Sequence, residues 1–199
     1  MAKKTREELI EVARLQFAEK GFYGTSIAGI ASELGLSKQA LLHHFGTKEK
    51  LYAQVLSEIS ARYVARIFQV QLEISDPRQQ LEELMLDQLN HQSADHNDAR
   101  VVMRELLDNQ ARAEQVTNWY LKPYLNGLAS IVKRIPQRQA LTDAEALAVV
   151  YQLLGAINYL GMSKPTLTQM FGKTTFKALC AAYPGQLREL IRSRFDFAE

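Results

Sequence analysis

The chain has 199 residues, enough for one or two compact units. Hydrophobic residues make up 47% and charged residues 23%, a composition typical of a globular protein rather than a disordered one. With 24 Lys and Arg against 22 Asp and Glu, the net charge of +2 neither indicates nor excludes a nucleic-acid partner. The single cysteine, Cys180, excludes a disulfide framework within the chain and a zinc site built from several cysteines.

Helical periodicity runs through nearly the whole chain and predicts an all-α protein. Neither a secretory leader nor a membrane-spanning helix is expected, because polar residues interrupt each long apolar run. The longest such run, Ala144–Gly161, contains Glu145, Gln152 and Asn158 and is predicted to be a buried helix.

Four helices are predicted in the N-terminal part of the chain, each opened by a hydroxyl-bearing cap and most closed by glycine. Their expected bounds are about Thr5–Lys20, Ile27–Leu34, Lys38–Phe45 and Lys48–Ser75. The expected caps are Thr5, Thr25 or Ser26, Ser37 and Thr47, and the expected stops are Gly21, Gly35 and Gly46.

Further helices are expected in the rest of the chain, at about Pro77–Gln92, Ala99–Gln110, Glu114–Ile135, Thr142–Gly161, Lys173–Ala182 and Gln186–Phe195. Pro123 is predicted to kink the helix that contains it, because proline lacks a backbone N–H. The expected connections are a polar loop at Ser93–Asp98, a turn-rich stretch at Ser163–Gly172 and a break at Pro184–Gly185.

The second and third helices have the spacing of a helix-turn-helix, in which a glycine-containing turn presents the second helix of the pair to a DNA major groove. On the third helix, Leu41 and Phe45 point toward the second helix. The opposite arc carries Gln39, Ala40, Leu42 and His43, and the N-terminal tip carries Ser37 and Lys38. No acidic residue occurs from Gly35 to Phe45, which suits a surface that meets DNA.

The run GFYGTSIAGIASELGLSKQALLHHFGTKEKLY, residues 21–52, resembles the signature of the TetR family of bacterial transcriptional repressors. Beyond this run the resemblance extends only to chain length and an all-helical layout. The resemblance implies phosphate contacts by Thr25, Ser26, Ser37 and Lys48, and groove-facing positions at Gln39, Ala40, Leu42 and His43. Lys38 and His44 complete the predicted DNA-binding set.

Leu42 departs from the family pattern, which often has tyrosine at this position. A hydroxyl-to-phosphate bond is then lost. Either Leu42 contacts a thymine methyl group instead, or His43 takes over the backbone contact.

We expect a helix-turn-helix DNA-binding domain over residues 1–50 and a helical ligand-binding and dimerisation domain over residues 51–199. The helices at Ala144–Gly161 and Gln186–Phe195 are predicted to form a dimer seam, as in the TetR family. The alternative is that the first of them is simply buried in its own domain. A dimer would place two recognition helices about 34–36 Å apart, as a palindromic DNA operator requires.

A ligand pocket is predicted around the expected kink at Pro123. Its candidate residues are Met103, Trp119, Tyr120, Tyr124, Tyr151 and Asn158. Ordinary core packing is the alternative for each of these side chains.

The sequence therefore predicts a homodimeric, sequence-specific transcriptional regulator, a repressor released by a small, partly apolar effector and, by the resemblance, located in a bacterial cytoplasm. A DNA-binding regulator controlled by a protein partner or by its own concentration is the alternative. A helical enzyme that uses His91, His96 or the tyrosine-rich helix is a third hypothesis. Catalysis, cofactors and metal sites are not expected: His43 and His44 point about 100° apart. His91, His96, Asp95 and Asp98 are expected to be solvated.

Overall fold

The computed structural model describes the backbone of residues 2–108 and 119–195, and the side chains of residues 5–107, 119–136 and 138–195. Every regular element in these ranges is helical, which confirms the predicted all-α fold. The elements are α1 (Ala2–Gly24), α2 (Ile27–Glu33), α3 (Lys38–Phe45), α4 (Lys48–Glu73), α5 (Pro77–Ala94), α6 (Asn97–Asp108), α7 (Lys122–Arg134), a 3₁₀ turn (Pro136–Arg138) and α8 (Asp143–Phe195).

Hydroxyl side chains open three successive N-terminal helices, as predicted. The oxygens of Ser26, Ser37 and Thr47 each accept a hydrogen bond from the amide three residues further on, at 2.9, 3.1 and 3.2 Å. These bonds satisfy amides that have no partner within the helix. The cap of α2 is therefore Ser26 rather than Thr25.

Two glycines interrupt long helices in a conformation that other L-residues rarely adopt. Gly21 lies at φ 72° and ψ 178° inside α1, and Gly172 lies at φ 81° and ψ 159° inside α8. The predicted end of the first helix at Gly21 is therefore a kink, after which helical structure resumes to Gly24.

Pro123 does not kink a helix, contrary to the prediction. It is the second residue of α7, where a missing N–H costs nothing because the first amides of a helix have no partner within it. The predicted helix start at Glu114 lies outside the described residues.

The predicted turn-rich stretch Ser163–Gly172 is helical as far as Gly172, where a kink precedes the helix that was expected from Lys173. The second predicted break, at Pro184–Gly185, is wrong because α8 continues through it. Leu187, Ile191 and Phe195 lie beyond the second break and are buried. Packing of this apolar side outweighs the hydrogen bond that an internal proline removes. The predicted polar loop is short as well, since α5 ends at Ala94 and α6 begins at Asn97.

The chain divides into two compact units: Met1–Arg62 with Asp95–Leu121, and Tyr63–Ala94 with Lys122–Glu199. Helix α4 therefore contributes to both units. The expected boundary near residue 50 separates two predicted functions, whereas the two compact units are defined by contacts within the chain. The functional boundary therefore stays a prediction.

Each unit has its own apolar core. In the first unit, α1, α2, α3 and the first half of α4 bury Leu9, Ala13, Phe17, Ile30, Leu41, Leu51, Tyr52, Val55 and Ile59. In the second unit, α5, α7 and α8 surround the end of α4 and bury Ile67, Val70, Leu81, Met85, Leu128, Ile131, Val150, Leu153 and Ile157.

Helix α8 is long and apolar enough, by length and composition alone, to cross a membrane. A core helix of a globular protein passes the same test. Here Val150, Leu153 and Ile157 are buried against other helices of the second unit, within an apolar window of which 33% is buried.

Candidate nucleic-acid interface

Helices α2 and α3 pack against each other in the first unit through the predicted apolar side of α3. Leu41 is fully buried and Phe45 is 7% exposed. The facing residues on α2 are buried too, with Ile27 9% exposed and Ile30 0% exposed. At the turn, Gly35 lies at φ 65°, a left-handed conformation that glycine adopts without strain. The helix-turn-helix geometry expected from the sequence is confirmed.

The other side of α3 is accessible within its unit. Gln39 and His43 are exposed, and Ala40 and Leu42 are half-buried. This face combines amide, imidazole and apolar groups, which are types of side chain that recognise base edges. The structure therefore groups the residues that were predicted to face the groove.

The N-terminal tip of α3 is exposed too. Ser37 and Lys38 both lie at the surface, and the Ser37 oxygen already accepts from the Ala40 amide. Its hydroxyl proton is then left for an acceptor outside the protein, because a hydroxyl can accept and donate at once. Ser26 has the same arrangement at the start of α2.

The position of Thr25 does not fit its predicted role as a phosphate contact. Its side chain is 2% exposed, and its hydroxyl donates to the carbonyls of Gly21 at 2.8 Å and Gln16 at 3.1 Å. These bonds hold the kinked end of α1. The hydroxyl of Thr25 is therefore not accessible to a DNA phosphate.

His44 is half-buried, and its ring lies 6.2 Å from the ring of Phe45. The rings of His43 and His44 are 6.0 Å apart and diverge along the helix, as expected for adjacent positions. No group of three or more His, Cys, Asp or Glu side chains able to hold a metal ion occurs among the described residues.

Lys48 opens α4 with its ammonium nitrogen 4.4 Å from the centroid of the Phe22 ring. Phe22 in turn packs against Tyr52, with ring centroids 5.1 Å apart. Burial lowers the pKa of Lys48, an effect that the neighbouring carboxylate of Glu49 opposes. The aromatic ring orients the ammonium group, a contact that the sequence analysis missed.

A buried ion-pair network in the first unit was also missed. Asp98, at the start of α6, is 1% exposed and accepts from Arg14 of α1 at 2.9 Å and from Arg62 of α4 at 2.7 Å. Arg14 also contacts Asp95 at 3.0 Å and Glu11 at 2.7 Å. The expectation that Asp95 and Asp98 are simply solvated is therefore wrong.

Hydrogen bonding to Glu11, together with the charges of Asp98 and Asp95, raises the pKa of Arg14 despite partial burial. A second tie lies further along α6, where the guanidinium of Arg104 donates to the carbonyls of Ala18 and Glu19 at 3.1 and 2.8 Å. Helix α6 is thus fixed to α1 at two points.

The six predicted pocket residues are not gathered at a kink. Met103, Trp119 and Tyr120 belong to the first unit, and Tyr124, Tyr151 and Asn158 belong to the second. Trp119 and Tyr151 are 38% and 50% exposed. Without a kink at Pro123, the geometric reason for grouping these residues is lost.

Tyr124 and Asn158 have partners within the second unit. Tyr124 is 6% exposed, its ring centroid is 4.9 Å from that of Tyr63, and burial raises its pKa. The Asn158 oxygen accepts a hydrogen bond from the Gln92 side chain. For Tyr124 this is the core packing that was the stated alternative.

A groove of about 400 Å³ does occur in the second unit, and none of the six predicted residues lines it. Its charged wall contains Glu82, which accepts from Arg188 at 2.9 Å and from Arg192 at 2.8 Å. Its lining residues are Ile74, Asp76, Arg78, Gln79, Glu82, Glu83, Ile191, Arg192 and Phe195.

The two helical stretches predicted to form a dimer seam each have one buried and one exposed side. Ile157 is fully buried, whereas Tyr159 is 77% exposed and Gly155 is exposed. Further along α8, Leu187 is 2% exposed and Leu190 is 46% exposed. Ala144–Gly161 is thus buried on one side only.

Comparison with known proteins finds a family match in the N-terminal region. Residues 9–55 match the family model described as "Bacterial regulatory proteins, tetR family". The chain is 41% identical over 58 residues to the HTH-type transcriptional repressor AcnR of Corynebacterium efficiens, a match covering 29% of this chain and 31% of that protein. It is 32% identical over 84 residues to the HTH-type transcriptional repressor NicS of Pseudomonas putida, covering 42% of this chain and 40% of that protein.

The fold is shared along nearly the whole chain with solved structures of low sequence identity. The transcriptional regulator FadR from Bacillus subtilis, in complex with stearoyl-CoA, superposes with a TM-score of 0.72 at 21% identity, covering 93% of this chain and 96% of that chain. The sequence matches span about a third of AcnR and two fifths of NicS. The helix-turn-helix region of this chain, within residues 9–55, is therefore similar to the tetR family of bacterial regulatory proteins.

Proposed function

We propose that the protein is a homodimeric, sequence-specific DNA-binding regulator that represses transcription. One observation carries the proposal: α3 is seated on α2 by buried Leu41 and Phe45, and it presents an accessible polar face free of acidic residues. A helix held in this way is what insertion into a DNA major groove requires.

Within this proposal the side chains divide into two roles. Gln39, Ala40, Leu42 and His43 contact base edges, because they occupy the accessible arc of α3. Ser26, Ser37, Lys38, His44 and Lys48 contact backbone phosphates, because they carry donors around that arc. Phosphate contacts set the position and base contacts set the sequence preference.

Dimerisation is supported by the exposed side of α8. Tyr159 and Leu190 are large apolar side chains exposed on helix segments whose other sides are buried. Exposed apolar surface of this kind marks interaction sites. A second copy of the chain covers this face, and the resulting two-fold symmetry matches a palindromic operator.

We further propose that a small, partly apolar effector controls DNA binding by the protein. FadR of Bacillus subtilis, which shares this fold, was solved in complex with stearoyl-CoA. In this chain the corresponding role falls to residues 51–199, the proposed ligand-binding and dimerisation domain. The alternative is control by a protein partner or by protein concentration.

Catalysis has no part in the proposal, since the relatives that the chain matches are named as transcriptional repressors. Like them, the protein is proposed to act in the cytoplasm of a bacterium. A helical enzyme using His91 or His96 is disfavoured by the match to a DNA-binding family.

Selection of bound duplexes from a random DNA pool tests the proposal. We expect enrichment of a palindrome whose half-sites lie about one helical turn, 34–36 Å, or a multiple of it apart. A variant carrying both Gln39→Ala and His43→Ala serves as the control and should not enrich the same palindrome. Failure of the unaltered protein to enrich any sequence would contradict the proposal.

A further inference from the structure

Arg6, on the first turns of α1, lies against the recognition helix, and its side chain has no acceptor among the described residues. The central carbon of its guanidinium lies 5.1 Å from the centroid of the Phe45 ring. Phe45 is the last residue of α3 and is 7% exposed, so the ring is a fixed platform. A guanidinium stacked on a ring still has its N–H donors at the edge, directed away from the ring.

Three other arginines of the first unit have acceptors within the protein, whereas the side chain of Arg100, like that of Arg6, has none among the described residues. Arg14 and Arg62 donate to carboxylates, and Arg104 donates to main-chain carbonyls. For Arg6, the structure of the described residues records only the ring contact, and no ion pair with the nearby acids Glu7 and Glu8. Its positive charge is therefore unmatched within that part of the chain.

A second cation lies at the same end of α3. Lys48 follows Phe45 by three residues across the Gly46 turn, and its ammonium group lies over the Phe22 ring. Two cations held on aromatic faces thus accompany the end of α3. Polyanionic backbone is the ligand that matches unpaired cations next to a helix that enters a groove.

Resting on the proposed function, we propose that Arg6 is a further DNA-binding residue. Its guanidinium, held flat by Phe45, donates to a backbone phosphate beside the groove that α3 occupies. The contact positions the protein and carries no sequence information, so it strengthens binding to every duplex to a similar extent.

The test measures equilibrium binding of the full chain to the selected operator and to an unrelated duplex at several KCl concentrations. For Arg6→Ala we expect weaker binding to both duplexes and a salt slope that is smaller by about 0.9, the value for one lost phosphate contact. Arg6→Lys keeps the charge and should keep the slope, with weaker binding because it lacks the planar fork.

Arg100→Ala is the matched control. It removes one arginine of the same unit, on α6, and should leave the slope unchanged. If Arg6→Ala fails to fold, as seen by circular dichroism, Arg6→Gln replaces it as a neutral variant of similar length. An Arg6→Ala or Arg6→Gln slope equal to that of the unaltered protein overturns the inference alone. An unaltered protein that binds no duplex overturns the proposed function, and this inference with it.

Discussion

In the proposed function, Ser37 serves two partners through one oxygen atom. The oxygen accepts from the Ala40 amide at 3.1 Å and closes the start of α3, while its proton stays available to an outside acceptor. The two roles have opposite charge requirements. A carboxylate can replace the inward role, because aspartate caps helices as well as serine does, but it cannot donate to a phosphate.

Replacement of Ser37 therefore separates stability from binding. Ser37→Asp should keep the free energy of unfolding within about 0.5 kcal/mol, since the cap is retained. Its affinity for DNA should fall at least tenfold, because a negative charge then faces phosphate. Ser37→Ala should lose about 1 kcal/mol of stability through the missing cap. Denaturant titration and mobility-shift titration measure the two quantities. A Ser37→Asp variant that binds normally would contradict a phosphate near Ser37.

Substitutions of Gln39 and of Lys48 are expected to change DNA binding in different ways. Gln39→Ala should change which sequences are preferred, since an amide on the accessible arc of α3 reads base edges. Lys48→Ala should weaken binding to all sequences and reduce the salt slope by about one. Mobility-shift titrations against the operator, single-base variants and an unrelated duplex measure both. Equal loss on every sequence for Gln39→Ala would count against a base contact.

Local chemistry made many single residues predictable. Leu41 and Phe45 follow from helical spacing, and the Ser26 and Ser37 caps follow from side-chain type. The Arg14–Asp98 pair could not be predicted from local sequence, because 84 residues separate its two partners. The buried hydroxyl of Thr25 was missed for a different reason: the carbonyls that it bonds are close in sequence, but it is the kink at Gly21 that brings them near the hydroxyl.

At the scale of helices, α5 and α8 are joined by a charged cluster as well as by apolar packing. Glu82 of α5 accepts from Arg192 and Arg188 of α8. Hydrogen bonding to Arg192, and then to Arg188, lowers the pKa of Glu82 below its ordinary value near 4.5, although burial acts in the opposite direction. The carboxylate therefore stabilises the fold when it is ionised.

A pH dependence follows from this lowered pKa. The stabilisation is fully present above the unfolded pKa near 4.5 and is lost as the pH falls through the lower folded value. Glu82→Gln should therefore cost about 1 kcal/mol at pH 7 and almost nothing near pH 3. Glu83→Gln, whose carboxylate is 3.5 Å from Arg66 and 45% exposed, should show a smaller effect. Denaturant titrations at both pH values measure this, and a Glu82→Gln cost that does not vary with pH would contradict it.

The helices of the N-terminal unit were predictable to within a few residues, whereas α7 and α8 were not. Short helices closed by glycine turns carry their boundaries in local sequence. Pro184 suggested a break, yet α8 passes through it, and Leu187, Ile191 and Phe195 beyond it are buried in the second unit. Tertiary packing of this kind outweighs local preference and is not visible in a local pattern.

For the molecule as a whole, the large exposed apolar side chains define where a second copy is expected. Tyr159 is 77% exposed on α8, and Phe68 is 62% exposed on α4. Only the first belongs to the predicted dimer face. The fold class and the recognition helix could be predicted from sequence, whereas the ligand pocket stays a prediction. A cavity depends on side chains from many elements, and here its expected origin, the kink at Pro123, does not exist.

Placing a charge on the proposed dimer face should separate the protomers. Tyr159→Arg should raise the dissociation constant of the dimer at least tenfold, because two copies of the charge meet across a two-fold axis. Phe68→Arg is the matched control, since it places the same charge on an exposed aromatic position of another helix. Sedimentation velocity across a concentration series measures the dissociation constant. A Tyr159→Arg variant that stays dimeric would contradict this interface.

The conformations of Gly21 and Gly172 also restrict the handedness of the residue that can replace each glycine. Their φ values of 72° and 81°, with ψ near 180°, are the mirror image of ordinary extended backbone. An L-alanine is strained at either position, but a D-alanine has this region as its natural one. In a protein assembled by chemical ligation, D-alanine at position 21 or 172 would therefore fold where L-alanine is penalised. What the chain needs at these two points is a stereochemistry, and glycine is the only encoded residue that offers it.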